Sequence, residues 1–152
     1  MNYLTALVHL PLVRESTGER IRTPADVMRV CSDIANLAQE TFHILMLNAK
    51  NLLINRHMVT IGLANAAPVH PREVFRPAID SGAVAVVLVH NHPSGESEPS
   101  AEDARITKQL IEAGKILDIN VLDHVIIGRP TAASNGFFSM RESGICGFTE
   151  SP

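Results

Sequence analysis

Cysteine is scarce in this sequence: only Cys31 and Cys146 occur in 152 residues. Two thiols are too few for a disulfide scaffold or a cysteine-rich zinc site, and they suit a reducing cytosol. There is no P-C-x-x-C string, which excludes the ligand set of the zinc deaminases. Excess charge of one sign is missing too. The net charge is −3 and no basic cluster stands out, so strong nucleic-acid binding is not expected. No stretch approaches the roughly 18 apolar residues of a membrane span, and the N-terminus lacks a basic segment leading into a sustained apolar one. These absences predict a cytoplasmic protein with no membrane partner. Repeats, low-complexity tracts and interdomain linkers are absent as well. What remains is one domain of 16.5 kDa, 45% hydrophobic, long enough to bury a real core.

Leu4, Leu7, Val8, Leu10, Leu12 and Val13 predict a strand within residues 1–13, at a sheet edge because of Pro11. A polar turn region follows, with Ser16, Thr17 and Gly18. Thr23-Pro24-Ala25-Asp26 is a helix start. Val27, Val30, Cys31, Ile34, Leu37 and Ala38 then recur at helical spacing, which makes Cys31 a buried structural thiol. Phe42 to Leu47 predicts a strand, Asn48 to Asn51 a hairpin turn, and Leu52 to about Leu63 the return strand. His43 and His57 are expected on polar faces of this hairpin. After a loop over Asn65–Pro68, Pro71 opens a helix to about Ser81, which Pro77 should kink or shorten. Val84 to Val89 is β-branched and almost wholly apolar, as in a strand buried on both faces. A helix over about Ser100 to Leu117, a strand over Val121–Ile127, a turn at Gly128–Pro130 and a short strand at Phe137–Phe138 complete the chain. Arg141 to Pro152 is small and polar and should fray, leaving Cys146 incidental. This order of elements predicts an α/β domain, a mixed sheet flanked by helices.

The chemistry is concentrated from His90 to Asp103. His90 and His92 close the Val84 strand two residues apart, so both imidazoles can point to one side while Asn91 points to the other. Pro93, Gly95 and Pro99 mark an irregular loop. Ser100 and Asp103 form an S-x-x-D helix start, which puts Asp103 in the first turn, able to lean back over the strand end. Two imidazoles and one carboxylate can thus converge, leaving a fourth position open for water, as in a catalytic zinc site.

Seven residues separate His92 from Ser100 and two separate Ser100 from Asp103. The resulting H-x-H-x7-S-x2-D string resembles the metal-binding motif of the JAMM (MPN-type, JAB) metallohydrolases. The fuller string HNHPSG, with VHPREVFRPAI upstream and VLDHVIIG downstream, is similar to the RadC branch of that family. The resemblance covers about residues 10–142. It implies the JAB/MPN fold, akin to the cytidine-deaminase-like architecture. Residues 1–23 would then be an N-terminal strand and linker of the same domain, 24–142 the RadC-like domain and 143–152 a flexible tail. RadC proteins usually carry an N-terminal helix-hairpin-helix region, which this sequence starts too late to contain.

The resemblance also implies roles. Zn2+ would be held by His90, His92 and Asp103. Glu40 matches the family's glutamate, the general base, placed between the first helix and the following strand. Glu73, in the first turn of its helix, is a competing carboxylate that a helix dipole and an ion pair explain without catalysis. Ser100 matches the serine that stabilises an oxyanion, although N-capping accounts for it equally. Asp123 and His124 interrupt an apolar strand and could support the metal ligands from behind. The implied activity is a zinc metallopeptidase or isopeptidase acting on a peptide or protein. The alternative is a non-catalytic MPN-type interaction module carrying the family's DNA-repair label. His-Asn-His at 90–92 is too compact for an HNH nuclease. Substrate identity and oligomeric state stay open.

Overall fold

Strand and helix segregate here by where each apolar pattern can be buried. The computed structural model describes residues 18–62 and 69–148. The predicted strand within 1–13, the Asn65–Pro68 loop and residues 149–152 lie outside them. Thr23 caps helix α1 (Pro24–Val30): its hydroxyl accepts from the Asp26 amide at 3.2 Å, and the Asp26 carboxylate accepts from the Thr23 amide at 3.0 Å. The apolar spacing to Ala38 predicts a longer helix. The α-helix instead ends at Val30, and Ser32–Ile34 form a 3-10 turn. Val27, Cys31, Ile34 and Ala35 are buried, so either geometry satisfies the pattern. Asp33 on this turn meets Arg56 through two contacts of 2.7 Å.

Strand β1 (Thr41–Leu47) turns back through Asn48–Asn51 into β2 (Leu53–Ile61). The Asn48 side chain holds the turn, accepting from the amides of Lys50 and Leu52 at 2.9 and 3.0 Å. Helix α2 (Pro71–Asp80) continues through Pro77, which forgoes one backbone hydrogen bond without ending the helix. Strand β3 (Ala85–Asn91) is buried along its whole length. Helix α3 (Ala101–Leu117) connects it to β4 (Asn120–Ile127), and β5 (Phe137–Ser139) closes the chain's last hairpin.

The sheet runs β2-β1-β3-β4-β5, antiparallel except for the β3–β4 pair. A parallel pair needs a long crossover, and α3 supplies it. One face packs Leu45, Leu47, Val87, Val89, Val125 and Ile127 with α1. The other packs Ile44, Met46, Val86, Leu88 and Val121 with Phe75 of α2 and Leu110 of α3. The mixed α/β architecture predicted from the sequence is the one observed. Where composition predicts fraying after Arg141, residues to Phe148 are laid against the fold. The Ile145 amide bonds Met140 O at 3.0 Å, the Cys146 thiol reaches Ala104 O at 3.4 Å, and Cys146 and Phe148 pack on the core. Two side chains, Cys146 and Phe148, anchor a stretch whose average composition hides them.

His43 also departs from expectation. It lies on a buried position of β1, not on a polar face, because both neighbours of this strand are themselves strands and both its faces are covered. Its Nε2 meets Thr41 Oγ1 at 2.9 Å, and Nδ1 is buried without a partner. Burial pushes its pKa down to about 4. The folded state therefore disfavours protonation, and stability present above pH 6.5 is lost as pH falls toward 4. His124, also buried and held neutral, acts in the same direction. Urea unfolding at several pH values should show that His43→Leu flattens this fall by on the order of 2 kcal/mol, allowing for solvent screening. An unchanged pH profile would exclude His43 as a contributor.

Candidate metal centre

Alternation along β3 sends Leu88 and His90 toward α3 and Val89 and Asn91 toward α1. His92 lies one residue beyond the strand, yet its amide still bonds Ile127 O of β4 at 2.9 Å. The alternation therefore carries on, and His92 returns to the side of His90. The loop that follows is pinned from beneath. Arg129 donates to the carbonyls of Pro93 and Ser94 at 3.1 and 2.9 Å, and its amide bonds Gly95 O at 2.9 Å. Gly95 suits this turn because its φ is +89°, and a Cβ there would lie 2.8 Å from the Arg129 guanidinium, which would have to shift.

Asp103 arrives through the cap of α3. Its Oδ2 accepts from the Ser100 amide at 2.8 Å, and its own amide donates to Ser100 Oγ at 3.1 Å. The carboxylate then spans the two rings, with Oδ1 3.3 Å from His90 Nε2 and Oδ2 3.3 Å from His92 Nε2. The two Nε2 atoms are 2.9 Å apart. Glu40 comes from the adjacent strand. Phe42 pairs with His90, and continuing that antiparallel register sets Glu40 opposite His92. Its Oε1 lies 3.7 Å from His90 Nε2, and its side chain is half-exposed. Glu40, His90, His92 and Asp103 thus offer four donor atoms within 4.8 Å of one another.

Hydrogen bonding fixes which ring nitrogens carry protons. The Thr107 hydroxyl sits 2.6 Å from Asp103 O, a pure acceptor, so it donates there. It must then accept from His124 Nδ1 at 2.5 Å. Burial holds His124 neutral, so its Nε2 is bare and accepts the Nδ1 proton of His90 at 2.7 Å. His90 Nε2 is left with a lone pair. His92 Nδ1 likewise donates to Glu96 O at 2.8 Å, leaving its Nε2 bare when the ring is neutral. With both rings neutral, two lone pairs and a carboxylate face one another at about 3 Å, an arrangement that a bound cation or a proton taken up at His92 Nε2 relieves.

Without an ion, a proton shared between the rings and Asp103 takes that part. Burial alone would raise the Asp103 pKa, but the imidazoles of His90 and His92 hold it well below the usual carboxylate range. Asp103 in turn raises the pKa of His92. The Phe42 ring stacks with that of His90, centroids 6.0 Å apart, and lays an apolar face against one side of the site. The distances fit a tetrahedral ion, for which bonds of about 2.0–2.1 Å put neighbouring ligand atoms about 3.3 Å apart. His90, His92 and Asp103 form the tight set, and Glu40 stands further out.

The remaining sequence-derived candidates separate cleanly. Ser100 caps α3, but as an acceptor, which leaves its own hydroxyl proton available. His124 stands behind His90, its Nε2 2.7 Å from His90 Nδ1. Asp123 does not. It faces away, accepting from Ser139 Oγ at 2.6 Å and from the Arg141 amide at 3.0 Å, so it holds the chain after β5. Adjacent strand residues point to opposite faces, so one of the Asp123–His124 pair had to miss the metal side. Glu73 is half-exposed beside Arg72 at 3.2 Å and is not in the donor group. Sequence reasoning missed Thr107. Its signal was the four-residue spacing from Asp103, which sets both on one face of α3.

A mixed sheet with one parallel pair, bearing an H-x-H strand end and a helix-cap aspartate, presents a donor group that could hold a metal and that fits the JAMM motif. The profile of the RadC-like JAB domain matches residues 21–145, and the chain belongs to that family. It is 48% identical over 137 residues to a UPF0758 protein of Rubrobacter xylanophilus, covering 90% of this chain and 58% of that protein. It is 44% identical to a UPF0758 protein of Listeria monocytogenes, covering 89% of this chain and again 58% of the relative. A UPF0758 protein of Desulforamulus reducens is 48% identical over 126 residues, 82% of this chain and 53% of the relative. The chain therefore spans somewhat more than half the length of these relatives.

Thr107→Val keeps the side chain's shape and removes the hydroxyl that sets the His124 tautomer. Zn2+ affinity, measured by competition with a chromophoric chelator, should fall about tenfold. Unchanged affinity would show that His90 needs no such support.

Proposed function

We propose that this protein is a zinc-dependent hydrolase of the JAMM type, a metallopeptidase or isopeptidase that opens an amide bond in a peptide or protein. The observation that carries this reading is the separation within the donor group. Three groups sit at ligand spacing, and a fourth, half-exposed carboxylate waits beyond them. Zinc bound to His90, His92 and Asp103 would supply a water acidified toward neutral pH and a Lewis acid for the substrate carbonyl. Glu40 takes the proton from the attacking water and returns it to the departing amine, a task for a carboxylate near the ion but not bound to it. The Ser100 hydroxyl, whose proton the helix cap leaves uncommitted, would steady the developing oxyanion. His124 and Thr107 keep His90 in the tautomer that ligates.

The DNA-repair label of the RadC branch gains no support from these groups. At net charge −3 the protein should bind DNA weakly and with a shallow salt dependence. Among the described residues no helix is long and apolar enough to cross a membrane. A cytoplasmic peptide or protein is the substrate this reading favours.

Two measurements test it. Elemental analysis of protein purified without added metal should find about one zinc per chain, lost in His92→Ala; full occupancy in that variant would remove the assignment. The zinc-loaded protein should then cleave members of a diverse peptide and isopeptide library, read by mass spectrometry. Glu40→Gln should retain zinc and lose at least about a hundredfold in turnover, while Glu73→Gln leaves turnover near wild type. The reverse outcome would transfer the role to Glu73. If neither substitution changes an observed turnover, the general base lies elsewhere; if no library member is cleaved and neither substitution matters, the reading of an interaction module that keeps its metal gains.

A further inference from the structure

Asn91 lies between the two metal-site histidines but on the other face of β3, fully buried. Every polar atom of its side chain is engaged. Oδ1 accepts from the Thr41 amide at 2.7 Å and from the Thr41 hydroxyl at 2.8 Å. Nδ2 donates to Gln39 O at 2.9 Å. Only this orientation of the amide satisfies all three partners. The bonds fall on residues 39 and 41, so they grip the backbone on either side of Glu40. Glu40 needs such a grip. It precedes the first paired residue of β1, and its contact to His90 at 3.7 Å is longer than any within the ligand set. One backbone bond, from the Gly62 amide to Glu40 O at 2.9 Å, ties it to the end of β2.

We infer that Asn91 is a positioning residue for Glu40, the side chain through which the strand bearing the metal ligands sets the distance between the ion and the proton-transferring carboxylate. Strand alternation gives the device its form. His90 and His92 aim at the metal from one face, and the residue between them reaches under the sheet to the neighbouring chain segment. A shift of β3 would then move ligands and carboxylate together. A hydrophobic residue at 91 could fill the space but would leave the Thr41 amide and the Gln39 carbonyl without these partners. Asp at 91 could accept from Thr41 but could not donate to Gln39. The inference rests on the role proposed for Glu40, and its geometric content can be measured without any substrate.

The test compares wild type, Asn91→Ala, Asn91→Asp, Glu40→Gln and the Asn91→Ala/Glu40→Gln double variant, all as the full chain. Zinc stoichiometry should be unchanged in every one, because no ligand is altered. Amide hydrogen exchange at Thr41 should quicken about tenfold or more in Asn91→Ala and recover in Asn91→Asp. In crystals of zinc-loaded Asn91→Ala, the Glu40 carboxylate should leave its place beside His90. With Co2+ as the probe, the visible spectrum at fixed pH should shift in Asn91→Ala in the direction seen for Glu40→Gln. The double variant should go no further than Glu40→Gln alone, since Asn91 acts through Glu40. Additive spectral shifts, or a Glu40 that stays in place while Thr41 exchange is unchanged, would overturn the inference. If Asn91→Ala does not fold, Asn91→Asp decides: a Glu40 and a cobalt spectrum both indistinguishable from wild type would overturn it. Should Glu40 move as stated while Glu40→Gln leaves turnover intact, the positioning stands and the general-base reading fails.

Discussion

Two imidazole nitrogens 2.9 Å apart, each with its proton committed on the far side of its ring, form an arrangement that is unfavourable without a positive charge between them. The surroundings of the site maintain this arrangement. Asp103 spans both rings from the first turn of α3, and the cap at Ser100 fixes where that carboxylate can be. The Thr107–His124 pair turns His90 so that its lone pair faces inward. Arg129 and Gly95 hold the loop whose Glu96 carbonyl does the same for His92. Folding therefore gathers lone pairs and a carboxylate at the end of the sheet, where a bound cation or a proton on a ring must bridge them, and the packing of α3 against the sheet holds them together.

The position of these groups follows from the topology. β3 is central and buried, so its end is rigid, while its parallel partner β4 obliges the chain to cross over through α3. The start of that crossover helix lies at the strand end where the histidines are. A helix N-terminus with its carboxylate in the first turn is thereby delivered to the ligands. The antiparallel neighbour β1 approaches from the other side and contributes Glu40 at its own beginning. Ligands and carboxylate thus come from three segments distant in sequence but joined through one buried strand.

Much of this was legible in the chain. The β-branched run before His90 identified the central strand, the two-residue histidine spacing gave a common face, and S-x-x-D gave the helix start. Each signal reports on local geometry, which sequence periodicity encodes. The first helix was harder, because Val27, Cys31, Ile34 and Ala35 are buried equally well by an α-helix and by a helix followed by a 3-10 turn. His43 misled because a histidine in a strand is ordinarily a polar-face residue. Nothing local says that its strand is covered on both sides. Asp123 and His124 were indistinguishable as neighbours until the sheet assigned one to each face.

The sequence by itself determined the elements, the pair of histidines on one face and the cap that places Asp103, because these depend on alternation, helical period and local hydrogen bonding. It also limited the chemistry, since two cysteines and no P-C-x-x-C string exclude a cysteine-rich or deaminase-type zinc site. Only the tertiary structure decided that His124 and Thr107 stand behind His90, that Asn91 grips the chain around Glu40, and that Glu40 rather than Glu73 joins the donor group. Each of these depends on the register between strands or on the packing of a helix over a sheet. Those quantities are set by the burial of the whole core, and no short stretch of residues carries them.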